Sequence, residues 1–446
     1  MHHTNKRLII AALLIYSLVL FSCSDPYQSG HNPTVEIKYQ DGKAQLFRHG
    51  EPYFIKGAAG TEHLEKVAEY GGNSIRTWSL YDVERILDEA HELGLTVTIG
   101  LEIGRPYWGN DFNYWKFWEV DRKIEELRPI IEKFKDHPAL LMWGVGNEID
   151  RYGGGIRLLI YYTINKVAKM VKEIDPNHPT MTAISALSKK KLKTYTFSRH
   201  IMPNIDIIGI NAFNAIENMH ERIYGQKGWD KAYIFSEWGP SGHWEISHND
   251  WGAPRELKNS EKRDLMKKNW DILKNDTALF VGSYAFYWGF KHEATHTWFS
   301  LFSEEGFETS SVNFLKYAWS GEQAKNMAPN IDSLFIETMN GLEYDNVYLE
   351  NSMEFSAIAY ANDPERDSLT YKWEIRPEEN YFLDEIIKTD VKLAYYNMEY
   401  LIQKVEGNKI QFTTPKEEGP YRIFVFAYDG NGNVASYNVP FYVIVK

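Results

Sequence analysis

Leu140-Leu141-Met142-Trp143-Gly144-Val145-Gly146-Asn147-Glu148 decides the reading of this chain. An apolar run of strand length stops abruptly on an amide and a carboxylic acid. The same pattern returns at Ala232-Tyr233-Ile234-Phe235-Ser236-Glu237-Trp238-Gly239-Pro240. In a closed parallel barrel the C-terminal ends of the strands line one face, so a carboxylate there looks into a cleft and not into the core.

Outward from these two runs, apolar strand-like segments alternate with amphipathic helical ones. The other candidate strands are Tyr53–Ala58, Ser74–Trp78, Thr96–Leu101, Thr180–Ile184, Ile205–Asn211 and Gly282–Trp288. Leu140–Asn147 and Ala232–Glu237 complete eight. Between them, Asp82–Leu93 places Val83, Ile86, Leu87 and Ala90 on one helical face, and Ile156–Ile174 and Lys262–Leu273 behave alike. Gly94 and Asp175-Pro176 supply helix stops. Eight strand–helix rounds in roughly 270 residues suit a (β/α)8 TIM barrel of the α/β class. A doubly wound sheet competes, but no glycine-rich phosphate turn follows the first strand.

Val35–Lys38 and Gln45–Arg48 flank Asp41-Gly42 and read as a hairpin at the bottom of the barrel. Near Ala328-Pro329-Asn330 the pattern changes to short alternating strands, as in Ser333–Glu337, Glu354–Ala359, Leu369–Ile375, Lys409–Thr413, Tyr421–Tyr428 and Tyr437–Val445. The expected order is a signal peptide over 1–22, a tether over 23–33, a barrel with its hairpin over 34–325, and an immunoglobulin-like β-sandwich over 326–446.

Glu148 and Glu237 end the fourth and seventh strands. Ends four and seven can converge on the centre of a closed barrel. Two carboxyl groups about 5–5.5 Å apart are what a retaining glycosidase needs, one to protonate the leaving oxygen and one to attack the anomeric carbon. Two adjacent carboxylates cannot both ionise easily, so one of them holds its proton.

Asn147-Glu148 at strand four and Glu237 at strand seven resemble the signature of clan A glycoside hydrolases. Phe54-Ile55-Lys56-Gly57, Asn73-Ser74-Ile75-Arg76 and Trp143-Gly144-Val145-Gly146-Asn147-Glu148 are most similar to the family 2 catalytic barrel. The long ends of strands seven and eight resemble barrel-plus-sandwich lipoproteins of polysaccharide-degrading bacteria, endo-β-1,3-glucanases among them. The resemblance implies Glu148 as acid/base and Glu237 as nucleophile. It implies Asn147 as a partner of the sugar 2-OH, Arg76 as the cation beside the nucleophile, and Trp288 as the floor of the sugar subsite. One departure stands out: strand six of many relatives ends near a His or Tyr that touches the nucleophile, and here it ends at Asn211.

Tryptophans crowd the expected catalytic loops: Trp108, Trp115 and Trp118 after strand three, Trp238, Trp244 and Trp251 after strand seven, and Trp298 after strand eight. Sugar rings pack flat C–H faces on such rings. At least half of these tryptophans should pack their own loops. Trp108 and Trp238 are the additional substrate-binding candidates.

His292-Glu293-Ala294-Thr295-His296 matches the zinc-protease pattern H-E-x-x-H, which needs both histidines on one helix face. Here the flanking residues read as a loop leaving strand eight, so no metal and no cofactor is expected. Asp429-Gly430-Asn431-Gly432-Asn433 starts like a calcium loop but has Pro440 where the twelfth-position acid belongs, and reads as a hairpin turn.

The N-terminus carries Lys6 and Arg7, then an apolar stretch from Leu8 to Leu20 that is short for a membrane span. It ends in Leu20-Phe21-Ser22-Cys23, which resembles a bacterial lipobox; a plain signal peptide or an anchoring helix is the alternative. Cys23 is the single cysteine of the 446 residues. Lipidated there, the protein would sit on the periplasmic or outer face of a Gram-negative outer membrane, held to the membrane only by its anchor. The net charge of −12 disfavours nucleic acid as a partner. The sequence thus points to a monomeric enzyme cleaving a β-linked oligo- or polysaccharide. Endo-β-1,3-glucanase is the first choice. A transglycosylase and a catalytically silent glycan-binding lipoprotein remain open.

Overall fold

β4 (Ile55–Ala59), β5 (Ser74–Arg76), β6 (Thr96–Leu101), β7 (Leu140–Asn147), β8 (Thr180–Ser185), β9 (Ile207–Asn211), β10 (Tyr233–Trp238) and β11 (Phe280–Phe286) close into one barrel. Every neighbouring pair is parallel, β11 with β4 included. The computed structural model describes residues 33–105, 112–151, 156–185, 200–219, 223, 229–378 and 396–445. Cys23 and Trp108 lie outside the described residues.

The barrel strands are apolar because both their faces are covered. Outside, helices α1 (Leu64–Glu69), α2 (Val83–Glu92), α3 (Phe117–Phe134), α4 (Arg157–Ile174), α5 (Asn259–Leu273) and α6 (Ser310–Ser320) turn apolar stripes inward. In α2 that stripe is Val83, Ile86, Leu87 and Ala90. Inside, the barrel is plugged by Tyr284, whose hydroxyl bonds Ser74 Oγ at 2.9 Å and Thr98 Oγ1 at 2.6 Å. Gly57 makes room for this ring: a Cβ there would lie 2.3 Å from Tyr284 Cδ1.

β1 (Val35–Gln40) and β2 (Lys43–Arg48) form the antiparallel hairpin, and β3 (Glu51–Tyr53) extends it to three strands. It bonds residues that precede barrel strands: Val35 N–H donates to Asn177 O at 3.0 Å, and Ala44 N–H to Ala278 O at 2.7 Å. The hairpin therefore covers the N-terminal end of the barrel and leaves the opposite end open.

The C-terminal strands form two stacked sheets. The outer sheet orders β13 (Gly341–Glu343), β12 (Asn330–Thr338), β15 (Glu354–Asn362), β18 (Lys409–Thr413) and β17 (Ile402–Glu406). The inner sheet orders β14 (Val347–Glu350), β20 (Val434–Ile444), β19 (Gly419–Tyr428) and β16 (Thr370–Pro377). Their own core holds Leu334, Ala357, Trp373, Ile375, Phe412, Ile423, Val425 and Phe441. Residues 429–433 are the β19–β20 turn, Tyr428 pairing with Val434. Strands β3, β13, β14 and β17 are additions to the sequence reading. Three of the four have three or four residues, and all four lie at a sheet edge, where little apolar alternation is demanded.

Candidate active site

Glu148 follows the last residue of β7, and Glu237 is the fifth residue of β10. Arg76, at the end of β5, joins them. Its Nη1 donates to Glu237 Oε1 at 3.0 Å and to Ser236 O at 2.8 Å, and its Nη2 donates to Asn147 Oδ1 at 2.7 Å. Asn211, at the end of β9, donates from Nδ2 to Glu148 Oε1 at 3.1 Å and to Asn147 Oδ1 at 3.2 Å. Ser236 Oγ donates to Asn211 Oδ1 at 2.7 Å and so fixes the amide's orientation. Three of the residues singled out from the sequence, Arg76, Asn147 and Asn211, thus form one network with the two acids.

The two carboxyl groups are treated differently. Glu237 Oε1 accepts from the Arg76 guanidinium and from Trp78 Nε1 at 2.7 Å. Its Oε2 accepts nothing from the described residues. Charge-assisted donors favour the ionised form of an acid. Glu148 is buried, and burial followed by the charge of Glu237 pushes its pKa up to about 7. Arg151, 3.5 Å from Glu148 Oε2, and the Asn211 amide oppose this rise. Glu237 is held by two donors on one oxygen, and Glu148 is the acid set to hold its proton.

Glu148 sits at φ 50°, a left-handed conformation that is uncommon for a residue with a Cβ and concentrates at functional sites. Gly146, at φ 74°, starts the turn. The Glu148 N–H donates to Ala183 O at 2.8 Å and holds the turn against β8. Asn147 Oδ1 accepts from both Arg76 and Asn211, which leaves the Asn147 NH2 without a partner among the described residues. A donor is therefore available beside the acid pair.

Two sequence expectations are corrected, and the contact left open at Asn211 is settled. Trp238 does not face the cleft: its ring is fully buried and stacks on Trp270 of α5 at 6.0 Å. Neighbouring strand residues point to opposite faces, so an inward Glu237 sends Trp238 outward. Trp288 is not a subsite floor. Its ring is buried between Trp319 and Phe302, at 5.3 and 5.1 Å, and its Nε1 donates to His63 O at 3.2 Å. Asn211 contacts Glu148 and not Glu237. The aromatic contact to Glu237 comes from Trp78, which the sequence reading left among ordinary strand residues. Tyr287 stacks on Trp78 at 5.8 Å and 17°, and Phe286 meets it edge-on at 5.8 Å. Trp78 was findable: it lies two residues beyond Arg76, on the same side of an extended chain.

Of the other tryptophans, Trp298 is buried and donates to Ser241 O, and Trp251 packs on Tyr348 and Tyr442 of the inner sheet. Trp115, Trp118 and Trp244 are exposed. His292 and His296 lie on a loop and not on one helix face, and His296 turns away to Glu374.

Residues 73–243, which contain every member of this network, match the family model described as glycosyl hydrolases family 2, TIM barrel domain. That match covers under half of the chain and takes in six of the eight barrel strands, β5 to β10. No curated protein sequence matches the chain. Among solved structures, the chain is similar to the β-glucuronidase of Bifidobacterium dentium, at 17% identity and TM-score 0.51 over 65% of this chain and 49% of that one. Ruminococcus gnavus β-glucuronidase follows at 14% and 0.50, covering 66% and 53%. The β-D-glucuronidase of Dictyoglomus thermophilum gives 18% and 0.49, covering 65% and 54%. At these identities the likeness is one of fold, and the chain spans about half the length of those enzymes.

The site carries a stability signature. Folding raises the Glu148 pKa from 4.5 to about 7, so the folded state holds this proton more tightly than the unfolded chain. The resulting contribution is fully present below pH 4.5 and is lost as pH rises through about 7. Glu148→Gln should therefore raise Tm relative to the parent more at pH 8 than at pH 4.5. Calorimetry at both values checks this; a difference independent of pH would contradict it.

Proposed function

We propose that the chain is a retaining β-glycosidase with Glu148 as acid/base and Glu237 as nucleophile. The observation that carries this reading is the single network in which Arg76 and Trp78 hold one oxygen of Glu237, while buried Glu148 keeps a pKa near neutrality.

In the first step Glu237 Oε2 attacks the anomeric carbon. The bond to the leaving oxygen breaks, and that oxygen takes the proton of Glu148. A glycosyl ester on Glu237 and an ionised Glu148 result. Esterification removes the Glu237 charge that raised the Glu148 pKa. In the second step Glu148 removes a proton from water, the water oxygen attacks the same carbon, and Glu237 leaves as a carboxylate. Two inversions give net retention. The Asn147 NH2 is placed to bond the sugar 2-OH, and the Trp78–Tyr287 stack offers an aromatic wall.

Glu237 should feel the loss of Trp78 strongly. Trp78→Phe keeps a ring on Tyr287 but removes the donor to Oε1. The expected outcome in steady-state kinetics is a roughly hundredfold fall in kcat with little change in KM.

The finer reading places endo-acting cleavage of β-1,3-glucan first, on the resemblance of the strand-seven and strand-eight ends. The fold neighbours are named as β-glucuronidases, so β-glucuronides belong in the same test. That test is a panel of β-glucans, mannan and aryl β-glycosides, glucuronide included, with products sized. Internal cuts in β-1,3-glucan support the finer reading, and release of single terminal sugars overturns its endo part. Cleavage of no β-glycoside overturns the enzyme reading in favour of a silent glycan-binding protein.

A further inference from the structure

Strands β16, β19 and β20 are buried on both faces. One face supplies the sandwich core through Trp373, Ile375, Ile423, Val425 and Val439. The other face carries Glu374, Arg376, Arg422, Phe424, Phe426 and Asn438. Arg422 is 1% exposed and Glu374 2%. A module that merely trailed the barrel would leave this face wet. Two phenylalanines would then form an exposed apolar patch beside charged groups.

This face is covered by the loop that follows β11. The loop doubles back on itself: Tyr287 N–H donates to Phe299 O at 3.1 Å and Leu301 N–H to Tyr287 O at 3.2 Å. Ser300 Oγ ties Lys291 O and His296 O, at 3.0 and 2.9 Å. The loop tip, 292–297, meets the inner sheet. His296 Nε2 lies 3.1 Å from Glu374 Oε2, with its ring 4.6 Å from Phe424 and 5.8 Å from Phe426. Arg376 and Lys372 pair with the same carboxylate at 2.8 and 3.2 Å. Beside it, Glu256 Oε2 accepts from Thr295 Oγ1 and from Asn438 Nδ2, both at 2.6 Å. Asn438 Oδ1 in turn accepts from Arg422 at 2.5 Å. Glu256, Thr295, Asn438 and Arg422 bond one another there, the condition under which a buried polar network holds one arrangement.

The other end of the loop is the active site. Tyr287 stacks on Trp78, and Trp78 donates to Glu237. Lys291 Nζ lies 4.9 Å from the Phe286 ring centroid. The chain of contact therefore runs from Glu374 to His296, on to Ser300, and through its neighbours Phe299 and Leu301 to Tyr287, Trp78 and Glu237.

We propose that the C-terminal β-sandwich is a positioning element of the active site, in which Glu374 holds His296 and thereby sets the strand-eight loop that backs Trp78. Glu374 and His296 are positioning residues and touch no substrate. The kinetic part of this inference rests on the glycosidase reading; the structural part does not.

The test compares the full chain with Glu374→Gln by hydrogen exchange and by steady-state kinetics. Exchange in peptides spanning 287–303 should quicken at least about tenfold, while β6 and β7 keep parent rates. On the substrate cleaved by the parent, kcat/KM should fall roughly ten- to hundredfold with most of the change in KM, as expected when a wall is displaced and the acids are kept. Unchanged loop exchange, or a rise spread evenly over the barrel strands, overturns the proposal, the second by showing a role in global stability. If Glu374→Gln does not fold, His296→Gln is measured against the same criteria. If the parent cleaves no glycoside and the loop still loosens selectively, the positioning role stands and the glycosidase reading falls.

Discussion

Replacement of Glu237 by glutamine should lower kcat at least about ten-thousandfold, a loss of ~5.5 kcal/mol in transition-state stabilisation. The amide matches the carboxylate in size, so Arg76 and Trp78 can still donate to its carbonyl oxygen. What disappears is the nucleophile, because an amide does not form the glycosyl ester. Substrate binding should survive, since neither Asn147 nor the Trp78–Tyr287 wall is touched. Binding by calorimetry together with absent turnover is the expected pair of results. Retained turnover would remove Glu237 from the chemistry and leave Arg76 guarding a structural carboxylate.

Glu148→Gln should cost about 10²–10⁴-fold on substrates with poor leaving groups, the span of general acid catalysis. Aryl glycosides with acidic leaving groups need no proton and should lose much less in the first step. Activity of the parent should fall as pH rises through about 7, because the acid must be protonated in the free enzyme and Glu148 loses its proton there. In Glu148→Gln that alkaline limb of kcat/KM should vanish. Rate profiles of both proteins on one glycoside with a poor, weakly acidic leaving group check the point. A limb that persists in the variant would assign it to another group.

The barrel and the acid pair were legible because each is written in local sequence. The run from Leu140 to Val145 can only be a covered strand, and a charge placed at its end has a cleft to face. Arg76 and Asn147 came from the family resemblance, and Asn211 entered as a departure from it. The errors came where direction matters more than position. Trp238 adjoins Glu237 in sequence, yet the pleat sends it to α5. Trp288 lies past the end of β11, where strand periodicity no longer says which way a ring turns. Trp78 was passed over for the opposite reason: an aromatic in a strand reads as core until its indole N–H is seen to meet Glu237. The covered face of the inner sheet was not legible at all. Glu374, Arg422 and Asn438 read as solvent-facing alternates of β-strands, and only the fold of the strand-eight loop shows what buries them.

The central claim is that Glu237 becomes covalently glycosylated with Glu148 as its acid. Its most direct measurement is peptide mass spectrometry of the protein after incubation with a set of activated 2-deoxy-2-fluoro β-glycosides, gluco, galacto, manno and glucurono. The account predicts one fluoroglycosyl group per chain on the peptide containing Glu237, formed at a little-changed rate in Glu148→Gln because the activated leaving group needs no proton. A label on any other residue, or glycoside turnover with an inverted first product and no label, would contradict it.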